Sequence, residues 1–137
     1  MATFRASLNI SSPDVVSSDI SLNAALTDTI DSGYIMKVKV ANTDGNPLST
    51  PPPTTLYKVN DKTESAYLFV RNLGDEKEKY IYLMTRTSAE VFGKIPGGGF
   101  ALVPVKVDET IYAYATEQNQ VIEYAVFGTD AASTGFV

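Results

Sequence analysis

The stretch Ile95–Val105, IPGGGFALVPV, sets three consecutive glycines between a proline and an apolar run, and two different loops are written that way. A phosphate-binding loop leaves a strand, opens onto a helix N-terminus, and places Lys followed by Ser or Thr where they meet phosphate and magnesium. Here the glycines run into Phe100, Ala101, Leu102, Val103, Pro104 and Val105, and Lys106 arrives too late. In an extended chain Phe100 and Leu102 fall on one side and Ala101 and Val103 on the other. The stretch therefore reads as a strand entered through a turn, with Gly97, Gly98 and Gly99 supplying positive φ angles. Pro104 has no amide proton to give to a ladder, which puts this strand at a sheet edge or at a bulge. The loop turns a strand and holds no nucleotide.

Outward from that point the recurring signal is alternation with a period of two. Phe4, Ala6, Leu8 and Ile10 alternate with Thr3, Arg5, Ser7 and Asn9; Ile20, Leu22, Ala24 and Leu26 repeat the pattern. Tyr34, Met36, Val38 and Val40 do the same against Lys37 and Lys39. Each segment has one dry face and one wet one. Ser18 or Asp19 could cap a helix over Ser18 to Ile30, but the four alternating matches favour a strand. TTLYKV, SAYLFVRNL and KYIYLMT are rich in branched and aromatic residues and are separated by NDKTE and GDEKEK, so each neighbouring pair is expected to form a hairpin. TIYAYAT and QVIEYAVFG, separated by the polar EQNQ, are expected to form a closing hairpin.

Other motifs resolve to ordinary chemistry. NTDGNPLSTPPPTT is dense in turn formers, and prolines 51 to 53 make it an irregular connection or exposed edge rather than a proline-rich ligand. Asn42, Asp44 and Asn46 lack the later glutamate and further carboxylates of a calcium loop. The mixed charges of Asp75 to Lys79 suit a solvated loop tip. Asn9-Ile10-Ser11 matches a glycosylation acceptor by chance, because MATFRASLNISS has no apolar block of the length a signal peptide needs. On that ground the chain is expected to be made and kept in the cytoplasm. Tyr112, Tyr114 and Tyr124 could stack on a sugar, although half-buried packing is the commoner use of such rings.

Composition excludes whole classes of chemistry. At 137 residues, 44% hydrophobic and 20% charged, the chain is one ordinary globular domain. It has no cysteine and no histidine, so disulfides, thiolate nucleophiles, Ser-His-Asp triads and cysteine-based metal sites are impossible. A net charge of -5, with the eleven Lys and Arg residues scattered among acids, disfavours nucleic acid. A carboxylate pair can by itself cleave a glycoside, with Asp28 and Asp31 or Glu117 and Glu123 as candidates, but nothing in the spacing brings either pair together. No catalytic, cofactor-binding or metal residue is assigned, and no enzyme activity is expected.

Many short strands and no convincing long helix give an all-β fold, an antiparallel β-sandwich or jelly-roll-like barrel. It is expected as a single domain over 1–137, with an extended N-terminal arm and a C-terminal tail at 129–137. The order AYLFVRNLGDEKEKYIYL, GKIPGGGFALVPV, IYAYA and VIEYAVFG, about Tyr67 to Gly128, resembles a type of small virion protein of tailed bacteriophages. The resemblance implies a capsid decoration or cement protein that stabilises joints between capsid subunits, or else a tail or head-to-tail adaptor component. A host-surface or carbohydrate-binding module is the alternative from another class. Expected partners are the major capsid protein or other virion proteins, with many copies or a homo-oligomer in a virion assembled in the host cytoplasm, and neither nucleic acid nor membrane. Phe4 near the start, and Phe136 and Val137 after the small-residue run TDAAST, are the apolar residues at polar ends expected to meet that partner.

Overall fold

The computed structural model of the protein describes residues 2–12, 20–30, 32–43, 52–85 and 91–129. Among these there are ten strands and no helix: β1 Ala2–Ser12, β2 Ile20–Ile30, β3 Ser32–Lys39, β4 Thr54–Tyr57, β5 Ala66–Asn72, β6 Ile81–Thr85, β7 Val91–Ile95, β8 Phe100–Pro104, β9 Ile111–Ala115 and β10 Val121–Gly128. The antiparallel all-β fold expected from the alternation is present. Eight strands form two four-stranded sheets, ordered β3-β10-β5-β8 and β4-β9-β6-β7, while β1 and β2 pair only with each other.

The topology follows from one nested ribbon. β6 pairs with β7, β5 with β8, β4 with β9 and β3 with β10, so the second half of the chain retraces the first. Successive rungs of that ribbon fall alternately in one sheet and the other, and β10–β5 and β9–β6 pairing closes the roll. Two facing sheets wound in this way are a jelly roll. This corrects the expected hairpins: β4, β5 and β6 are not paired with one another, and β9 and β10 lie in opposite sheets. The links between them cross from layer to layer.

Between the sheets the core is built from Leu56, Leu68, Val70, Ile81, Leu83 and Ile122, all essentially excluded from water. Each such side chain contributes about 1.5–3 kcal/mol by burial. Two bulges interrupt the alternation. The register of β4 on β9 shifts between Thr55 and Tyr57, which lets consecutive Leu56 and Tyr57 both be buried. A second shift sets Leu83 and Met84 opposite Gly93 and Val91, so the extra residue, Phe92, is in β7.

The glycine turn is one of the crossings, carrying the chain from β7 in one sheet to β8 in the other. Gly99 N–H donates to Pro96 O at 2.9 Å, and only Gly98 of the three has positive φ, at 82°. That is a type II turn with glycine at its third position. Gly97 is required for another reason: a Cβ there would lie 1.9 Å from Glu76 O. The loop 75–79 therefore packs on the turn rather than standing free as a tip. Asn72, at the end of β5, joins the two. Its side-chain amide donates to Lys79 O at 2.7 Å and Ile95 O at 2.9 Å, and its Oδ1 accepts Gly74 N–H at 2.9 Å. Its backbone exchanges hydrogen bonds with Gly98 N–H and Gly99 O. β8 is an edge strand, as Pro104 requires.

Candidate functional site

The ladder of β1 on β2 sets Phe4 opposite Asp28, Ala6 opposite Leu26, Leu8 opposite Ala24 and Ile10 opposite Leu22. Because the side-chain period is two, these pairs share one face, and Thr3, Arg5, Ser7 and Asn9 occupy the other. The hairpin is thus apolar on one side and polar on the other, with Asp28 the exception on the apolar side.

That apolar side turns toward the outer face of the β3-β10-β5-β8 sheet. The ladder registers place Ile35, Ala125, Phe69 and Leu102 in one row across the sheet, and Lys37, Glu123, Arg71 and Phe100 in the next. The sheet's outer face is consequently apolar near the hairpin base and ionic farther along, where the Arg71 guanidinium pairs with the Glu123 carboxylate.

At the base the two surfaces touch. The Phe4 ring stacks on Tyr67 with centroids 4.7 Å apart and leans on Phe127 at 5.1 Å. The Tyr67 hydroxyl donates to Asp28 Oδ2 at 2.6 Å, which accounts for a carboxylate on an otherwise apolar face. That hydrogen bond, helped by the Thr29 amide and the Ser65 hydroxyl, holds the Asp28 carboxyl below its ordinary range, and Asp28 in turn pushes the Tyr67 phenol up. Lys62, almost wholly buried, donates from Nζ to Ser32 Oγ at 2.7 Å beside the same base.

Beyond the base the surfaces part and enclose a cleft of about 1620 Å³. Its roof is the hairpin, including Leu8, Ile10 and Leu26; its floor reaches from Ile35 across Phe69 to Phe100 and Leu102. Leu22 is 58% exposed, Ile35 67% and Phe100 58%, so large apolar side chains meet solvent on both sides of the opening. Ligand pockets for small molecules occupy roughly 300–1,000 Å³ and present convergent polar groups. This cleft is larger and mainly apolar, with Thr3, Arg5, Ser7 and Ser32 among its lining, a shape for a polypeptide element.

The residues singled out in the sequence fall in separate places. Phe4 is buried in the chain's own aromatic stack, while Phe136 and Val137 lie outside the described residues. Gly97, Gly98 and Gly99 form the crossing described above, away from the cleft. Tyr112, half-buried, and Tyr114, buried, belong to β9, whereas Tyr124, also buried, is on β10 in the other sheet and meets Tyr34 edge-on, so the three make no common platform. A different stack stands on the sheet that holds β9: Tyr82 on Tyr114 at 5.0 Å, with Lys94 Nζ 4.1 Å above the Tyr80 ring. Asp28 is held by Tyr67 and Glu123 by Arg71; Glu117 is in the exposed β9–β10 loop, and Asp31 lies outside the described residues. Among the described residues no three acidic side chains gather where a metal ion could be held. Asp44 and Asn46 lie outside them.

Sequence reasoning found the alternation of Leu8, Ile10 and Leu22 and the sidedness of Phe100 and Leu102, but not that these two sets face each other. Ile35, the most exposed large apolar residue of the floor, sits on the face taken for the wet side of β3. A jelly roll carrying an amphipathic hairpin over one sheet is the class of molecule that this geometry defines. No protein-family model, curated protein or solved structure matches the chain.

Proposed function

We propose that the chain is a structural protein of a bacteriophage virion, a capsid decoration or cement protein that stabilises joints between capsid subunits. The observation that carries the reading is the hairpin: an arm of two eleven-residue strands on which Leu8, Ile10, Leu22 and Leu26 stay exposed. An isolated two-stranded hairpin is marginal in water, and contiguous exposed apolar surface marks a docking site. An arm of this kind, attached to a rigid jelly roll, suits a protein whose work is contact with neighbouring subunits. The resemblance over Tyr67 to Gly128 to small virion proteins supports the same reading.

The test is attachment to virus particles depleted of the protein. Saturable binding in proportion to capsid subunits is expected, weakened when Leu8 and Leu22 are both changed to Glu on a domain that remains folded. Copies in proportion to the single tail axis would instead assign the chain to the tail or the head-to-tail adaptor. Absence of binding to particles would overturn the virion role.

A further inference from the structure

We infer that the occupant of the apolar cleft is the β1–β2 hairpin of a second copy of this chain, so that two copies exchange arms. The inference rests on reading the hairpin as a docking element and names its partner. Three observations bear on the occupant, and the first and third favour a copy over closure within one chain.

First, the connection is too short. β2 ends at Ile30 and β3 begins at Ser32. Two Cα steps span at most about 7 Å. Sheets that pack face to face lie about 10 Å apart. A hairpin leaving its own sheet through one residue can touch at the base, where Phe4 meets Tyr67, and must gape beyond it. A hairpin delivered by another molecule has no such restraint and can lie flat.

Second, the hairpin is longer than a floor of this size, its own or a partner's, so only part of the arm makes the contact. At about 3.4 Å per residue its eleven-residue strands run roughly 37 Å, while the eight residues of β3 run about 27 Å and four strands are only about 14 Å wide. Whatever its angle, the arm overhangs.

Third, the areas match. The four exposed apolar side chains of the hairpin and the three of the floor, at about 200 Å² for a fully exposed large apolar residue, present roughly 650–700 Å² per copy. Reciprocal exchange covers at most about twice that, which reaches the ~1,200–2,000 Å² of a standard stable interface. The contact is also self-complementary, as a two-fold pair requires: each copy offers one arm and one floor. Exchange re-forms the Phe4–Tyr67 stack and the Tyr67–Asp28 hydrogen bond between copies, so the base contacts are kept.

The chain has no cysteine, which makes the test direct. Copies carrying Leu8→Cys are mixed in the unfolded state with copies carrying Leu102→Cys and refolded; any mixed disulfide is intermolecular. Light scattering of the unmodified chain is expected to give twice its 14.8 kDa mass. Inserting Gly-Ser-Gly between Ile30 and Ser32 relaxes the restraint and is expected to yield monomer. A monomeric mass at all concentrations, with no mixed disulfide, would overturn the exchange, as would a dimer that the insertion leaves untouched. A monomer that still attaches to depleted particles would overturn the exchange alone; a dimer that never attaches would support the exchange and overturn the virion role.

Discussion

Replacing Asn72 by Ala removes one side chain and unties three segments. Asn72 is 1% exposed, and its side chain holds the carbonyls of Lys79 and Ile95 and the amide of Gly74. A net hydrogen bond is worth about 1 kcal/mol, and a buried carbonyl left without a donor costs a further ~1–3 kcal/mol. The Ile95 carbonyl is the buried one, so the expected loss is about 4 kcal/mol. For a domain of this size that is a fall in Tm of roughly 12–16 °C. Urea unfolding followed by circular dichroism measures it directly. The isosteric Asn72→Asp is the sharper probe: Oδ1 still accepts Gly74 N–H, but the other oxygen now faces two carbonyls. An ionised carboxylate is disfavoured there, so its folded pKa rises above the ordinary ~3.9. With a raised folded pKa, the variant is least damaged below the unfolded value and loses stability as pH climbs through the folded one. A penalty below about 1 kcal/mol for Asn72→Ala would refute the hub, and so would an Asn72→Asp penalty that is flat from about pH 4 to pH 7.

The glycine turn yields an ordering: Gly98→Ala, with φ of 82° and nothing within 4 Å of the new Cβ, should cost about 1 kcal/mol, whereas Gly97→Ala drives a methyl into Glu76 O and should cost more. Equal losses in urea unfolding would refute the distinction. Gln120 is buried with Oε1 unpartnered, so Gln120→Met is expected to raise stability by up to about 1 kcal/mol, and a measured loss would count against it. At the hairpin base, Asp28 is held low by Tyr67, so this contribution is present above the ordinary value of 3.8 and fades as pH falls through the folded one. Tyr67 is raised, so its share is present below 10.0 and fades as pH climbs through its folded value. Tyr67→Phe should return the Asp28 carboxyl toward its ordinary range in an NMR titration; an unmoved Asp28 would contradict the hydrogen bond.

What could be read from the chain was local. The sidedness of Phe100 to Val103 and the edge position of Pro104 follow from period-two alternation and a missing amide proton, both properties of a few adjacent residues. Pairing was not legible, because β3 meets β10 and β4 meets β9 across most of the chain, and no short-range pattern encodes which strand a strand will find. β7 was missed because Gly93 and Lys94 interrupt its five residues; Gly93 is there because Leu83 lies against it, with Cδ1 3.3 Å from where a Cβ would be. The cleft was missed for a related reason. Alternation marks one face of β1 and β2 as apolar but not what covers it, and here Leu8, Ile10 and Leu22 remain in solvent.

The contrast between the jelly roll's edges and its arm bears on that open face. A sheet edge is a template for unwanted pairing unless something blunts it. β8 carries Pro104, β7 is only five residues long and presents Lys94, β4 is four residues and bulged, and β3 sets Lys37 and Lys39 on its outer face. All four edges of the two sheets therefore bear a recognised device against association. Between Thr3 and Thr29 the hairpin bears no such device on its apolar face: Arg5 and the hydroxyls and amides of Thr3, Ser7, Asn9, Asn23, Thr27 and Thr29 stand on the opposite side, and the lone carboxylate, Asp28, is engaged by Tyr67. Guarded edges beside an unguarded arm direct association to one place. Such a restriction would let two copies pair and stop there, because a contact confined to a single self-complementary surface closes instead of propagating.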